Sequence, residues 1–364
     1  MKILSLFDGM ACGMIAMKNA GINVEKYEAF EIDKYAIKTA LYNFPEIREN
    51  GDVFEGDYTK FKSFDFLIGG SICTQWSIAQ KNDRETEPYS GIGWELFSQY
   101  VRALKEAKPK YFIYENNKSM SNAIRDEIRK TFGFEEICIN SALVSAQNRN
   151  RYYWVGKRND DGSYSKVDVK QPEDLGILLK DILDSGIPLA TFSKGKSFCL
   201  TASDYKGSNP KQTIEKHKRA MVAQTVRVGD LPNGKGEISG SQATRIYDVN
   251  GKSVNLVANG GGQGAKTGLY AIPISEKENC SDKKSLVIYE VKNGNLIIKN
   301  NNYPIKLPDG YYVIRNLSVN ECKKLQTVPE WYEFPVSNTQ AYKMLGNGWT
   351  CDVITHLIKF CIEQ

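Results

Sequence analysis

Short apolar runs alternate with helical patterns over about the first 157 residues of the chain. Each run is too short for a helix, and the patterns between the runs have the spacing of amphipathic helices. Such alternation predicts a doubly wound parallel sheet, in which ligands bind outside the carboxyl ends of the strands. The predicted strands lie at Ile3–Phe7, Tyr27–Glu31, Phe66–Ile68, Tyr111–Tyr114 and Glu136–Ile139, and the predicted helices at Met14–Ala20, Lys34–Asn43, Leu96–Ala107 and Met120–Thr131.

The composition of the sequence changes at about Arg158, where Gly, Asn, Ser and Lys become frequent. Short strand-like runs persist, such as Ser197–Thr201 and Leu286–Tyr289. This change predicts a separate, irregular and mostly β domain over residues 158–310. Helical patterns then resume at Ser318–Gln326, Thr339–Leu345 and Asp352–Ile362.

The net charge of +5 is small, and it is unevenly distributed. Basic side chains outnumber acidic ones only within residues 158–310, which directs that segment toward a polyanion. A solvated, lysine-rich surface explains the same excess equally well. The larger domain is expected to consist of residues 1–157 and 311–364.

Cys73 stands close to the end of a very apolar predicted strand, Phe64–Ile68. The strand stops at Gly69 and Gly70, and a buried strand that ends in this way commonly aims a nucleophile into a cleft. The chain has eight cysteines, and most free cysteines are small core residues. Position alone therefore leaves both interpretations of this thiol open.

The composition excludes several classes of chemistry. The cysteines show no C-x-x-C spacing and the only histidines are His217 and His356, so neither a metal site nor a histidine general base is expected. No apolar run is long enough to span a bilayer, and the N-terminus does not resemble a signal peptide. We therefore expect a cytoplasmic protein with reduced thiols and no membrane partner.

The segment Phe7–Gly13 follows the first predicted strand and opens a helix, so its N–H groups could hold an anion. The spacing of Gly9 and Gly13 departs from the dinucleotide pattern G-x-G-x-x-G, which argues against NAD. Glu31 ends the next strand, where an acid commonly binds ribose hydroxyls. Together with Gly51–Val53, these residues suggest an adenosyl cofactor whose charged end is an amino acid.

Six segments, in order along nearly the whole chain, resemble the motifs of DNA (cytosine-5)-methyltransferases. Such an order is hard to obtain by chance. It also leaves a gap of recognition-domain size before the fifth segment. The segments are Leu6–Gly9 (first motif), Gly70–Cys73 (nucleophile motif), Tyr114–Asn117 (Glu-Asn-Val), Gln147–Arg151 (Gln-x-Arg-x-Arg), Arg315–Ser318 with Glu321 and Leu325–Pro329 (ninth motif), and Leu345–Gly348 (last motif).

The chemistry of cytosine agrees with this resemblance. C5 is a poor nucleophile, so a thiolate must first add to C6, and Cys73 is the expected thiolate. Glu115 is expected to act as general acid at N3. Arg149 and Arg151, two apart as on one face of a strand, are expected to hold the O2 carbonyl of the base and to neutralise the thiolate and phosphates. A surface salt bridge is the alternative for the arginines.

The resemblance implies a Rossmann-like S-adenosylmethionine-binding catalytic domain and a target-recognition domain over residues 158–310. It implies double-stranded DNA as substrate, with the target base flipped out and covered by a loop within Ser77–Gly93. We expect a monomer without metal. The expected cofactor-binding residues are Phe7, Asp8, Gly9, Gly13, Glu31, Ile32, Asp52, Val53, Leu96, Asn347 and Trp349.

One residue departs from the family pattern: Ile72 stands where the nucleophile motif has proline. Proline fixes φ and removes an N–H group, so its absence could misplace the thiol of Cys73. A catalytically weak or inactive DNA-binding relative is therefore the main alternative. An RNA cytosine methyltransferase is a further one, although such relatives lack so large a recognition segment.

Overall fold

The structure, a computed structural model, contains two β-sheets among the residues that it describes. Helices cover both faces of the first sheet, and the second sheet has a small core of its own. The expected combination of a doubly wound α/β core with a mostly β region is confirmed. The described residues are 1–71, 75–77, 84–184, 227–232, 236–238, 244–256, 269–274, 288–298 and 301–363.

The first sheet has the strand order β3-β2-β1-β4-β5-β7-β6, with β8 paired to β7. Its strands are β1 (Lys2–Leu6), β2 (Lys26–Phe30), β3 (Arg48–Glu49), β4 (Phe66–Gly69), β5 (Tyr111–Asn117), β6 (Ile137–Asn140), β7 (Asn150–Arg158) and β8 (Tyr164–Lys166). The strands from β3 through β5 are parallel, whereas β7 runs antiparallel to β5 and β6. The strand order reverses between β1 and β4, where doubly wound sheets bind their ligands.

The helices follow the predicted pattern closely. They are α1 (Cys12–Asn19), α2 (Lys34–Asn43), α3 (Gly91–Ala107), α4 (Asn122–Phe132), α5 (Val319–Leu325), α6 (Asn338–Asn347) and α7 (Cys351–Glu363). Asp33 caps α2 by accepting from two main-chain N–H groups, and Ser121 caps α4. Ser318 and Glu321 form a reciprocal capping box at α5.

Alternate residues of the central strands enter two separate apolar clusters. Ile3, Ile68 and Ile113 pack with α1 and α7 on one face. Leu4 and Leu67 pack with α3 and α4 on the other. This period of two explains why these strands read as continuous apolar runs, since both of their faces are buried.

The second sheet has the strand order β14-β13-β12-β15-β11-β10-β9. Its strands are β9 (Arg227–Asp230), β10 (Arg245–Asp248), β11 (Leu269–Ile274), β12 (Ile288–Lys292), β13 (Asn295–Ile298), β14 (Asn301–Pro304) and β15 (Gly310–Arg315). Neighbouring strands are antiparallel except for β10 and β11. Alternate apolar residues, including Ile246 and Leu296, form its core.

Several local expectations need correction. The first sheet is mixed rather than all parallel, because apolar runs do not encode strand direction. Strand β5 continues to Asn117, so Glu115 lies within the strand. Sheet membership also places β8 with the first sheet and β15 with the second. The predicted run at 197–201 lies outside the described residues, and the division into a catalytic and a recognition domain stays a prediction.

Neither a membrane-spanning helix nor a cluster of metal-ligand side chains occurs among the described residues. No helix there is both long and apolar enough to cross a membrane. The same ranges contain no group of three or more His, Cys, Asp or Glu side chains arranged to hold a metal ion.

Candidate active site

Polar residues from four parallel strands lie at the carboxyl edge of the first sheet. Asp8 follows β1, Glu31 follows β2, Ser71 follows β4, and Glu115 lies near the end of β5. Because these strands are parallel neighbours, their carboxyl ends share one edge. The structure thus collects at one edge four segments that the sequence marked as functional.

Glu115 is buried, and both of its carboxylate oxygens have partners. Its Oε1 atom lies 3.0 Å from Nε of Arg151, and its Oε2 atom accepts a hydrogen bond of 3.0 Å from the indole N–H of Trp349. Arg151 pairs with Asn117 across β5 and β7, and Asn117 shares a strand face with Glu115. The strand register therefore brings this ion pair together, a pairing that the sequence analysis did not anticipate.

The segment that leads toward Cys73 packs against this carboxylate. A Cβ atom on Gly70 would lie 2.7 Å from Oε2 of Glu115, so only glycine fits there. The next residue, Ser71, shares a 2.6 Å hydrogen bond with the Tyr114 hydroxyl, and its carbonyl accepts from the amide of Asn116. Residues 72–74 and 78–83, including Cys73 and Ile72, lie outside the described residues.

Arg149 is anchored by hydrogen bonds to two segments that are distant from it in sequence. It precedes β7, so it does not share a strand face with Arg151. Its buried guanidinium donates to the side chain of Asn255 and to the carbonyls of Leu256, Gly346 and Gly348, at 2.8 to 3.2 Å. The structure thus shows Arg149 joining the turn after α6 to residues 255–256.

Glu31 is held in a fixed orientation by main-chain donors. Its Oε2 accepts from the N–H of Gly9, and its Oε1 accepts from the N–H groups of Ile32 and Asp33, all at 2.8 Å. After these bonds Oε2 keeps a free acceptor site, whereas both sites of Oε1 are used. Glu31 is therefore prepared to accept from a hydroxyl group, such as one of a ribose.

The carboxyl group of Asp8 is buried and only half satisfied. Its Oδ1 accepts from the hydroxyls of Ser5 and Tyr27, whereas its Oδ2 has no partner in the described part of the chain. Burial raises the pKa of this carboxyl to about 6, and the nearby charge of Glu31 adds to the effect. An unpaired buried carboxyl oxygen at the ligand-binding edge favours a positively charged ligand nearby.

Glu49 belongs to the same acidic region, and the sequence analysis missed it. It ends β3, and register places it beside Ala29, which itself pairs with Ser5. Neither of its carboxyl oxygens has a partner among the described residues. Burial, followed by the charges of Asp8 and Glu31, raises its pKa to about 8. No sequence signal was available, because β3 has two residues and no apolar run.

The remaining predicted cofactor residues occupy varied positions. Ile32 is 67% exposed beside Glu31, which leaves an apolar surface open for a ring. Gly13 packs so closely on the sheet that a Cβ would lie 2.3 Å from Ile68. Leu96 is buried in the apolar cluster that packs α3 and α4 against the first sheet. Phe7 has a main-chain φ of 58°. The side chain of Asp52 accepts from the N–H of Phe54, and Val53 is buried. Asn347 is exposed at the end of α6.

Comparison with solved structures identifies the class of fold. The S. pombe Dnmt2 methyltransferase superposes with a TM-score of 0.58 at 16% sequence identity, over 100% of this chain and 98% of that one. The protein therefore has the Rossmann-like fold of methyltransferases.

The family follows from sequence. The model of the C-5 cytosine-specific DNA methylases matches residues 1–363, and the chain belongs to this family, that of the DNA (cytosine-5-)-methyltransferases. The orphan methyltransferase M.SPRI of Bacillus phage SPR is 28% identical over 100% of this chain and 98% of its own length. M.Rho11sI of Bacillus phage rho11s is also 28% identical, over 75% of this chain and 60% of its own length.

Proposed function

We propose that the protein transfers a methyl group from S-adenosylmethionine to C5 of a flipped-out cytosine in double-stranded DNA, through a covalent adduct with Cys73. Membership of the family supports the overall reaction. The observation that carries the finer proposal is the Glu115–Arg151 ion pair packed against Gly70, three residues before Cys73. A partnered carboxyl group thus stands beside the segment that bears the candidate nucleophile.

The proposed addition step uses two groups of the chain. The sulfur of Cys73 bonds to C6 of cytosine, while Glu115 supplies a proton to N3, so that electron density rises at C5. S-adenosylmethionine supplies the methyl group that C5 then attacks. Loss of the C5 proton to a base re-forms the double bond between C5 and C6 and expels the thiolate of Cys73. Return of the N3 proton to Glu115 then restores the neutral ring and the starting enzyme. Arg151 forms an ion pair with Glu115 and would donate to the O2 carbonyl of the target cytosine.

The acidic edge of the sheet suits the proposed cofactor. Glu31 would accept from a ribose hydroxyl, and Ile32 would cover one face of the adenine ring. S-adenosylmethionine is cationic at its sulfonium and ammonium groups, and the unpaired oxygen of Asp8 lies in the loop that would face its amino-acid end. The hydrogen-bond acceptors and the negative charge of this region therefore fit the cofactor.

We assign recognition of the target DNA sequence to residues 158–310. The second sheet, which extends to β15, would present loops to the DNA grooves. Exchanging residues 158–310 for those of a relative should change the methylated sequence and leave the chemistry unaltered. An unchanged target after the exchange would place recognition in the first sheet instead.

Trapping of the covalent adduct tests the reaction directly. The probe is a long duplex in which 5-fluorocytosine replaces every cytosine, because fluorine at C5 blocks the release of the enzyme. With S-adenosylmethionine present, we expect a denaturation-resistant complex for the wild type and for the control Cys138→Ser, but none for Cys73→Ser. An adduct that survives Cys73→Ser would remove Cys73 from the mechanism.

The isoleucine at position 72 favours a second candidate, a weak or inactive DNA-binding relative. If the family proline mainly positions the thiol, its absence costs up to roughly 100-fold in rate. Ile72→Pro should then raise the single-turnover rate about tenfold without changing cofactor affinity. If neither protein methylates any cytosine-containing DNA, the binding-only function is correct. A slower Ile72→Pro variant would show instead that the pocket is adapted to isoleucine.

A further inference from the structure

Trp349 was expected to contact the cofactor, but its polar atom is directed elsewhere. The indole N–H of Trp349 donates to Oε2 of Glu115 at 3.0 Å, while Arg151 faces the other oxygen at the same distance. An indole N–H is a donor only, so it has a single hydrogen bond to make. In this structure that bond goes to the carboxylate of Glu115.

The turn that carries Trp349 is cross-linked on both sides of the indole. The carbonyl of Gly348, which precedes it, accepts from Arg149 at 2.8 Å and from the side chain of Gln326 at 3.2 Å. Thr350, which follows it, donates to the amide oxygen of Gln326 and shares a hydrogen bond with Ser141, each at 2.8 Å. These bonds fix the main chain around Trp349, so the indole approaches Glu115 from a defined direction.

Gly70 closes the space around this hydrogen bond. A Cβ atom there would lie 2.7 Å from Oε2 of Glu115 and 3.4 Å from the indole nitrogen of Trp349. The donor, the acceptor and the segment leading to Cys73 are therefore packed in mutual contact. A carboxyl group held by two donors and packed on its third side has little rotational freedom.

We propose that Trp349 is a positioning residue for Glu115, whose indole N–H fixes the carboxyl plane in the orientation that faces N3 and the exocyclic amine of the target cytosine. This inference rests on the proposed function. Two fixed donors leave one edge of the carboxyl group for the base, because each oxygen keeps a second lone pair. Misplacement of a catalytic group by a small distance costs rate rather than binding.

Replacement of the indole by a ring without an N–H group separates this role from a cofactor contact. We expect Trp349→Phe to lower the single-turnover methylation rate about tenfold and to leave the dissociation constant for S-adenosylmethionine within about twofold. Trp331→Phe, which alters a tryptophan that is 54% exposed, is the matched control and should change neither value. A weaker cofactor affinity with an unchanged rate would overturn the proposal and restore the cofactor contact.

A double-mutant cycle on thermal unfolding tests the contact without requiring activity. Trp349→Phe should lower the melting temperature in the wild-type background and have a clearly smaller effect in Glu115→Ala, because the acceptor is then absent. Equal losses in the two backgrounds would show that the indole stabilises the fold without coupling to Glu115, and would overturn the proposal. Absence of methyl transfer by the wild type would instead refute the proposed function, while this cycle still reports on the contact.

Discussion

The carboxyl of Glu115 and those of Asp8 and Glu49 lie at the same edge of the sheet, but they differ in whether their oxygens have hydrogen-bonding or ionic partners. Glu115 has a guanidinium on one oxygen and an indole N–H on the other. Asp8 has one oxygen without a partner in the described part of the chain, and Glu49 has two. A paired carboxyl is held in one orientation, whereas an unpaired buried one is destabilised until a cation or a proton reaches it. The first arrangement suits a carboxyl that must face a substrate in a fixed orientation, and the second suits receiving a positively charged cofactor.

The largest expected effect concerns the paired carboxyl. Glu115→Gln preserves the shape but removes the acid, so turnover should fall by about 10²- to 10⁴-fold. Cofactor affinity, measured by calorimetry, should change little. If affinity and rate fall together, Glu115 belongs to the cofactor side, and the distinction between the two groups is lost.

The next effect concerns the arginine that joins the turn after α6 to residues 255–256. Arg149→Met leaves several buried oxygens without a donor, so the free energy of unfolding should fall by about 3 kcal/mol. Urea unfolding measures this loss. Arg151→Met, which removes the ion pair with Glu115, should cost less stability and more rate. A larger stability loss for Arg151→Met would reverse the roles assigned to the two arginines.

A smaller effect is expected at the unpaired oxygen of Asp8. Because the pKa of Asp8 is about 6, the group is mostly ionised at pH 7.5 and mostly protonated at pH 5.5. Asp8→Asn should therefore weaken the binding of S-adenosylmethionine about tenfold at pH 7.5, or roughly 1.4 kcal/mol, and much less at pH 5.5. A pH-independent loss would mean that Asp8 acts through its shape rather than its charge.

The smallest effect is expected at Glu49, and it depends on pH. Burial raises its pKa from 4.5 to about 8, so between these values the folded protein binds more protons than the unfolded chain. Its contribution to stability is thus complete below pH 4.5 and is lost as the pH rises to 8. Glu49→Gln stays neutral, so its melting temperature relative to wild type should improve by about 2 °C between pH 5 and pH 8. The exposed control Glu55→Gln should show no such trend.

The sequence predicted the parts of the molecule that depend on local pattern. Strands β1 and β4 and the helices around them follow from apolar periodicity, and Glu115 and Arg151 follow from motif resemblance. Contacts between distant segments carry no such signal. Tertiary packing, which no local pattern encodes, determines the direction of β7 and the carbonyl contacts of Arg149. It also determines that the carboxyl oxygens of Glu49 have no partner among the described residues.

The bond between Glu115 and Trp349 spans 234 residues of sequence. During synthesis at about 5 to 20 residues per second, position 349 emerges roughly 10 to 50 s after position 115. Strands β1 to β5 can fold in that interval, but the carboxyl at position 115 gains its second donor only after position 349 has been translated. A nascent polypeptide that ends before position 349 therefore lacks this contact, which couples synthesis of the segment around Trp349 to the onset of DNA modification.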